Sequence, residues 1–116
     1  MNTIKNAIIK STQLTKGDHN LLSAWLMLDY GGSGQGFGGH VLYLPRGFKH
    51  HIAQKNFAGH FIFRVMDIVN VDEWKDLIGK TIRVQLSGDG LNASIEAIGN
   101  IIEDKWFNPK IEFENL

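Results

Sequence analysis

Apolar and polar residues along this chain follow more than one period, and each period predicts a different element. Residues 3–12 (Thr-Ile-Lys-Asn-Ala-Ile-Ile-Lys-Ser-Thr) are rich in β-branched side chains and roughly alternate, which predicts a first strand. Lys16-Gly17-Asp18-His19-Asn20 gathers turn formers. Leu21 to Tyr30 is a nearly continuous apolar run, suited to a central strand covered on both faces. Six glycines in nine residues follow, from Gly31 to Gly39. His40 to Leu44 reads as a third strand stopped by Pro45, and residues 46–56 as an irregular basic loop.

From Phe57 the period changes. Ala58, Phe61, Ile62, Val65, Met66 and Val69 recur at helical spacing, with His60, Arg64 and Asp67 on a narrow polar stripe, so a helix is predicted over 57–70 with Asn56 as its cap. A second, short helix is predicted from Asp72 to Ile78, ended by Gly79. Thr81 to Ser87 alternates again, Ser87-Gly-Asp-Gly90 signals a hairpin, and Leu91 to Ile102 reads as the return strand with a bulge near Gly99. Glu103 to Pro109 breaks the sheet and leaves a polar tail. The expected architecture is one α+β domain over residues 1–116, in the order β-β-β-α-α-β-β. It has a mostly antiparallel five-stranded sheet with one long and one short helix on one face.

The length of 116 residues suits one modest core. Cysteine is absent, which excludes a disulfide scaffold, a thiol nucleophile and a thiolate metal site. No run is long and apolar enough to span a bilayer and the start lacks the apolar stretch of a signal peptide, so no membrane partner is expected. Twelve basic and twelve acidic residues cancel, but unevenly. Residues 1–66 hold seven Lys/Arg against Asp18 and Asp29, and residues 67–116 hold five against ten. No carboxylate lies between Tyr30 and Met66, where four of the five histidines fall. One reading pairs the two halves of the chain in the fold; the other is an anion-facing patch over residues 40–64.

The glycine segment is the strongest chemical candidate. Gly34-x-Gly36-x-x-Gly39 matches the dinucleotide fingerprint formally, but a strand-like His40 to Leu44 follows where that motif needs a helix N-terminus. Two readings remain: glycines that permit positive φ and tight backbone approach in a hairpin, or bare peptide groups that hold an anion or accept a partner's backbone. The second makes Gly32, Gly34, Gln35, Gly36, Phe37 and Gly38 the binding residues, assisted by His40 and Arg46. Phe37 is either an anchor under the loop or an exposed hot spot.

The histidines lack metal-ligand spacing, so no metal or other cofactor is expected. Asp18-His19 is more simply a turn than an acid–base pair, and no nucleophile motif occurs, so an enzyme is the minority reading. Trp25, Trp74, Phe57, Phe61 and Phe63 are expected in the core. Trp106-Phe107 is read as closing the end of the sheet rather than as a stacking platform for a base, because carboxylates flank it.

Two blocks carry a resemblance: Leu28-Asp-Tyr-Gly-Gly-Ser-Gly-Gln-Gly-Phe-Gly-Gly39, and Ile98-Gly99 with Ile102-Glu-Asp-Lys-Trp-Phe-Asn-Pro109. With Asp18-His19, Val71-Asp-Glu-Trp74 and Gly79-Lys-Thr-Ile-Arg83, they resemble a family of small bacteriophage and prophage proteins. The chain departs from that family after Gly39, where His-Val-Leu-Tyr stands instead of Tyr-Ala-Leu-Asp. The resemblance implies phage origin and a host-cytoplasm setting, and no mechanism. The expected function is a non-enzymatic accessory protein that binds a host or phage macromolecule, host-defence inhibition being one version. A protein is the favoured partner over nucleic acid, and a homodimer is compatible. The alternatives are a small-ligand or nucleotide-phosphate module using the loop 31–39, and an enzyme of unrecognised type using Asp18, His19 and Asp29.

Overall fold

The structure is a computed structural model that describes residues 3–18, 21–38, 57–87 and 93–114. Six strands form a single antiparallel sheet: β1 (Thr3–Asp18), β2 (Leu21–Asp29), β3 (Gly34–Gly38), β4 (Thr81–Leu86), β5 (Ile95–Gly99) and β6 (Trp106–Phe107), in the spatial order β3-β2-β1-β4-β5-β6. Helix α1 (Phe57–Val69) and a short helix α2 (Pro109–Glu114) complete the described chain, with a single 3₁₀ turn over Trp74–Leu77. The expected α+β class with a mostly antiparallel sheet and one long helix is present, with six strands rather than five.

β1 organises the sheet because it serves two partners in turn. Thr3 to Ile8 pair with β4, and Ile8 to Asp18 pair with β2. One extra residue, Lys10, sits between the pairs Ile9–Leu28 and Ser11–Met27. A bulge of this kind bends its strand and increases the twist. Inward positions are apolar on both sides of the handover: Ala7 and Ile9 on β1, Ala24, Leu26 and Leu28 on β2, Ile82, Val84 and Leu86 on β4, all at most 2% exposed. Onto them α1 lays Phe61, Val65 and Ile68, which share one face at i, i+4 and i+7 and are fully buried.

The curl of the sheet brings its distant strands together. The Phe37 ring of β3 stands 6.0 Å from Phe61 of α1 and 6.3 Å from Phe107 of β6. Gln35, also on β3, reaches β5: its Nε2 donates to the Ala93 carbonyl at 3.1 Å and its Oε1 accepts from the Ile95 amide at 2.6 Å. These are the two bonds, one on each side of Ser94, that a parallel neighbouring strand would make. The side-chain carboxamide therefore closes the interior between two strands that three others separate.

Several expected boundaries move. β1 runs on through Lys16 and Gly17, where a turn was expected. The glycine segment is a strand: Gly31 and Gly32, at φ of 75° and 87°, form the two-residue turn, and Tyr30 N–H donates to the Ser33 carbonyl at 2.9 Å. Two successive positive φ values are the signature of a type I′ turn, which matches the twist of the strands it joins. The strand expected at 40–44, the loop at 46–56, the cap at Asn56 and the hairpin tip at 88–90 lie outside the described residues. α1 ends where Asn70 adopts φ 63°, and the second helix shrinks to its 3₁₀ turn, preceded by Glu73 in the N-cap position and followed by Gly79 at φ 88°.

The return strand is shorter than expected, and its extra residue is Glu96, between the pairs Gln85–Ala97 and Leu86–Ile95, rather than a residue near Gly99. Trp106-Phe107 does close the sheet, as the added strand β6, and the expected polar tail forms α2. Phe63 is 68% exposed because it lies on the side of α1 opposite Phe61 and Val65.

Phe37 is 4% exposed and belongs to the core cluster, so it is the anchor and not a contact hot spot. Phe37→Ser should destabilise the fold by about 3–5 kcal/mol, the cost of emptying a large aromatic site. Thermal or chemical denaturation followed by far-ultraviolet circular dichroism measures it.

Candidate nucleic-acid interface

The register assigns alternate residues of β1, β2 and β3 to the outer face of the sheet. On β2 these are Trp25, Met27 and Asp29; opposite them stand Gln13, Ser11 and Ile8 of β1, and Gly38, Gly36 and Gly34 of β3. Every outward position of β3 is thus a glycine, and the strand shows bare backbone there. The indole of Trp25 occupies the space this leaves: a Cβ on Gly36 would stand 2.9 Å from Cε3 and 3.0 Å from Cζ3, and 3.6 Å from Sδ of Met27. Trp25 is partly exposed and Met27 is 42% exposed. The arrangement is an aromatic ring laid on a side-chain-free strip, flanked by a flexible thioether.

Beside it lies a shallow groove of about 440 Å³ lined by Lys10, Met27, Asp29 and the backbone of residues 32–36. Lys10 is the bulged residue of β1, and Lys16 is exposed further along the same strand. Gly38, the cross-strand partner of Trp25, is the last described residue of β3. The connection from there to α1 holds Arg46, Lys49 and Lys55 and no carboxylate. Gly38 is itself fixed by packing: at φ 120° a Cβ would run into the Ala24 carbonyl and touch Phe61.

A second tryptophan uses the same device and is closed. A Cβ on Gly99 would meet the Trp106 ring at 2.7–2.8 Å, and the Arg83 guanidinium lies over that ring at 4.8 Å. Arg83 is tied down through Nε to the Asn100 carbonyl at 2.7 Å and Nη2 to the Glu103 carbonyl at 2.8 Å, while Trp106 Nε1 donates to Asp104 at 3.0 Å. This stack is satisfied within the chain and offers no ring face to a base.

The residues singled out in the sequence therefore separate. Gly32 serves the turn; Gly34 and Gly36 form the outward strip; Gly38 is held against Ala24 and the buried Phe61; Gln35 and Phe37 point inward. His40 and Arg46 lie outside the described residues, as does His19. Trp25 was expected in the core, and the signal that relocates it is the pairing of an alternating β2 position with an alternating run of glycines. The polar stripe of α1 has another use. His60 Nε2 lies 2.7 Å from Glu112 Oε1 of α2; Arg64 donates to the same carboxylate at 3.0 and 3.3 Å, to Asp67 at 2.6 Å and to the Trp106 carbonyl at 2.8 Å. It fastens α2 to α1. Among the described residues no three His, Asp or Glu side chains cluster as metal ligands, and no helix is long and apolar enough to cross a membrane.

Comparison with known protein families, with curated proteins and with solved structures finds no match, so the site stands on its own geometry.

Gly36→Val should lift the indole off β3 and expose it. In a chain whose other tryptophans are changed to phenylalanine, the Trp25 emission should shift to the red, with a loss of about 1–3 kcal/mol in stability as crowded side chains rearrange. An unshifted spectrum would mean that the ring does not rest on Gly36.

Proposed function

We propose that this chain is a non-enzymatic binding protein whose partner is single-stranded nucleic acid, held on the outer face of β1, β2 and β3. The observation that carries this reading is the Trp25 indole lying on the glycine strip, with Met27 beside it. Stacking on an exposed indole is open to every base, and a base–aromatic stack is worth about 1–3 kcal/mol. Lys10 on β1, which lines the groove beside Met27, and the basic connection that leaves β3 beside Trp25 supply the cationic partners that a phosphate backbone needs. The curled antiparallel sheet, joined across its open side by Gln35, supports the same reading. OB-folds are partly open barrels of this kind and bind oligonucleotides on the face of their second and third strands. Architecture alone assigns no function, so the weight rests on the aromatic platform.

The resemblance to small phage proteins fits an accessory role in a host cytoplasm, where single strands arise in replication and recombination. Compared with the reading from sequence, a macromolecular partner is kept, but its class changes from the favoured protein to nucleic acid and the contact region moves from the glycine loop with Phe37 to Trp25. The glycines that suggested a phosphate nest have other roles here: a hairpin turn, a flat strip and a close approach to Ala24.

A fluorescein-labelled 12-nucleotide oligothymidylate, titrated at low salt and followed by anisotropy, tests the proposal. Binding should quench Trp25 emission, weaken steeply with added salt, and fall about tenfold or more in Trp25→Ala, with the fold intact by circular dichroism. No binding by DNA or RNA oligomers, or equal binding by Trp25→Ala, would overturn it.

A further inference from the structure

β3 is the edge of the sheet, and its free side carries the peptide groups of its glycines. Tyr30 and Ser33 form a hydrogen-bonded pair at the turn. Alternation along an antiparallel ladder then makes Leu28–Gln35 and Leu26–Phe37 hydrogen-bonded pairs, so Gly34 and Gly36 turn their N–H and C=O groups away from β2. Among the described residues no strand pairs with that side. The edge also lacks the features that protect such edges: β3 has no charged residue and no proline.

Facing this edge is a cleft of about 540 Å³. Its far wall is built by the start of β5 (Ser94, Ile95, Glu96) and by α2, where Pro109 and the exposed Ile111 supply apolar surface and Lys110 and Glu114 opposite charges. Gln35 points inward from β3 and bonds to the backbone on both sides of Ser94, so it seals the interior beneath the cleft. The edge donor and acceptor of Gly36 on one wall, continued along β3 by those of Gly34 beyond the rim of the cleft, and an apolar patch with mixed charges on the other wall, fit an extended polypeptide.

We propose that the cleft between β3 and α2 takes an extended segment of a partner protein by strand addition to Gly34 and Gly36, with an apolar side chain of that segment against Ile95 and Ile111. A cleft of this volume, with β5 and α2 opposite β3, has room for a single extended segment rather than a second whole domain. The proposal concerns the edge of β3, not its outer face, and is independent of the role of Trp25.

Panning a phage-displayed library of random linear dodecapeptides on the immobilised full chain, then resynthesising the enriched peptides, tests it. Enriched peptides should alternate apolar and polar residues, and their binding should slow hydrogen exchange at the Gly36 amide tenfold or more. Gly34→Pro removes one edge donor without removing a bond to β2, and should raise their Kd at least tenfold. A library that enriches nothing, protection confined to elements other than β3, or equal binding by a folded Gly34→Pro would overturn it. Because the exchange measurement uses the unaltered chain, the test stands even if that variant does not fold.

Discussion

The fold depends on β1 being shared. At Ile8 one strand passes from β4 to β2, and Ile8 itself pairs with both Asp29 and Thr81. The two partners run along successive lengths of the same strand on opposite sides. The bulge at Lys10 absorbs the change of direction and raises the twist. Curling then follows, and it brings β3, the first edge of the sheet, within reach of β5 and β6 at the other end. Phe37, Phe61 and Phe107 meet only because of this, and the core they fill belongs to no single pair of neighbouring strands.

Glycine is the complementary constraint. Large rings at Trp25, Phe61 and Trp106 each sit where a neighbouring strand carries no side chain, at Gly36, Gly38 and Gly99 respectively. Packing of ring on backbone brings apolar surfaces together without any directional bond, and it makes each glycine hard to replace. The two tryptophan stacks differ in their other face. Over Trp106, Arg83 completes a sandwich anchored by backbone carbonyls. Over Trp25, on the other side of β1, no described residue makes a comparable contact. The same device thus yields a closed stack at Trp106, while at Trp25 no described guanidinium lies over the ring.

What could be read from the residues follows from how local each signal is. The helical period of Phe61, Ile62, Val65 and Val69 and the alternation of Ile82, Val84 and Leu86 are local patterns, and both elements formed where expected. The glycine segment was legible in part: Gly31 and Gly32 supply the positive φ of a hairpin and Gly38 the close approach, but composition does not show that Gly34–Gly38 is itself a strand, held by Phe37 and Gln35 on alternate positions. Six strands instead of five has the same cause, together with the two-residue β6, which is too short to carry a period. Trp25 looked like core because its apolar run resembles a strand covered on both faces. Only the register against β3 shows that it shares a face with the exposed Met27 and with Gly36 rather than with Leu26 and Leu28. Gln35 gave no signal as a strand substitute, since that role depends on the distant backbone of residues 93–95.

β3 therefore presents three surfaces that obey different rules. Its inward side is fixed: Phe37 fills the core, and Gln35 satisfies β5 in place of a strand. Its outward side must be bare at Gly36 for the indole to lie down, while Gly38 is required by its close approach to Ala24 and Phe61. Its edge carries the peptide groups of those same glycines, because outward orientation and edge-facing hydrogen-bonding groups fall on the same alternate residues of this ladder. The requirement that flattens the outer face thereby also strips the edge of side chains, leaving its donors and acceptors without steric cover. A charged or branched residue at Gly36 would protect the edge but displace Trp25. The exposed edge is thus a physical consequence of the aromatic platform, and a chain that keeps one acquires the other.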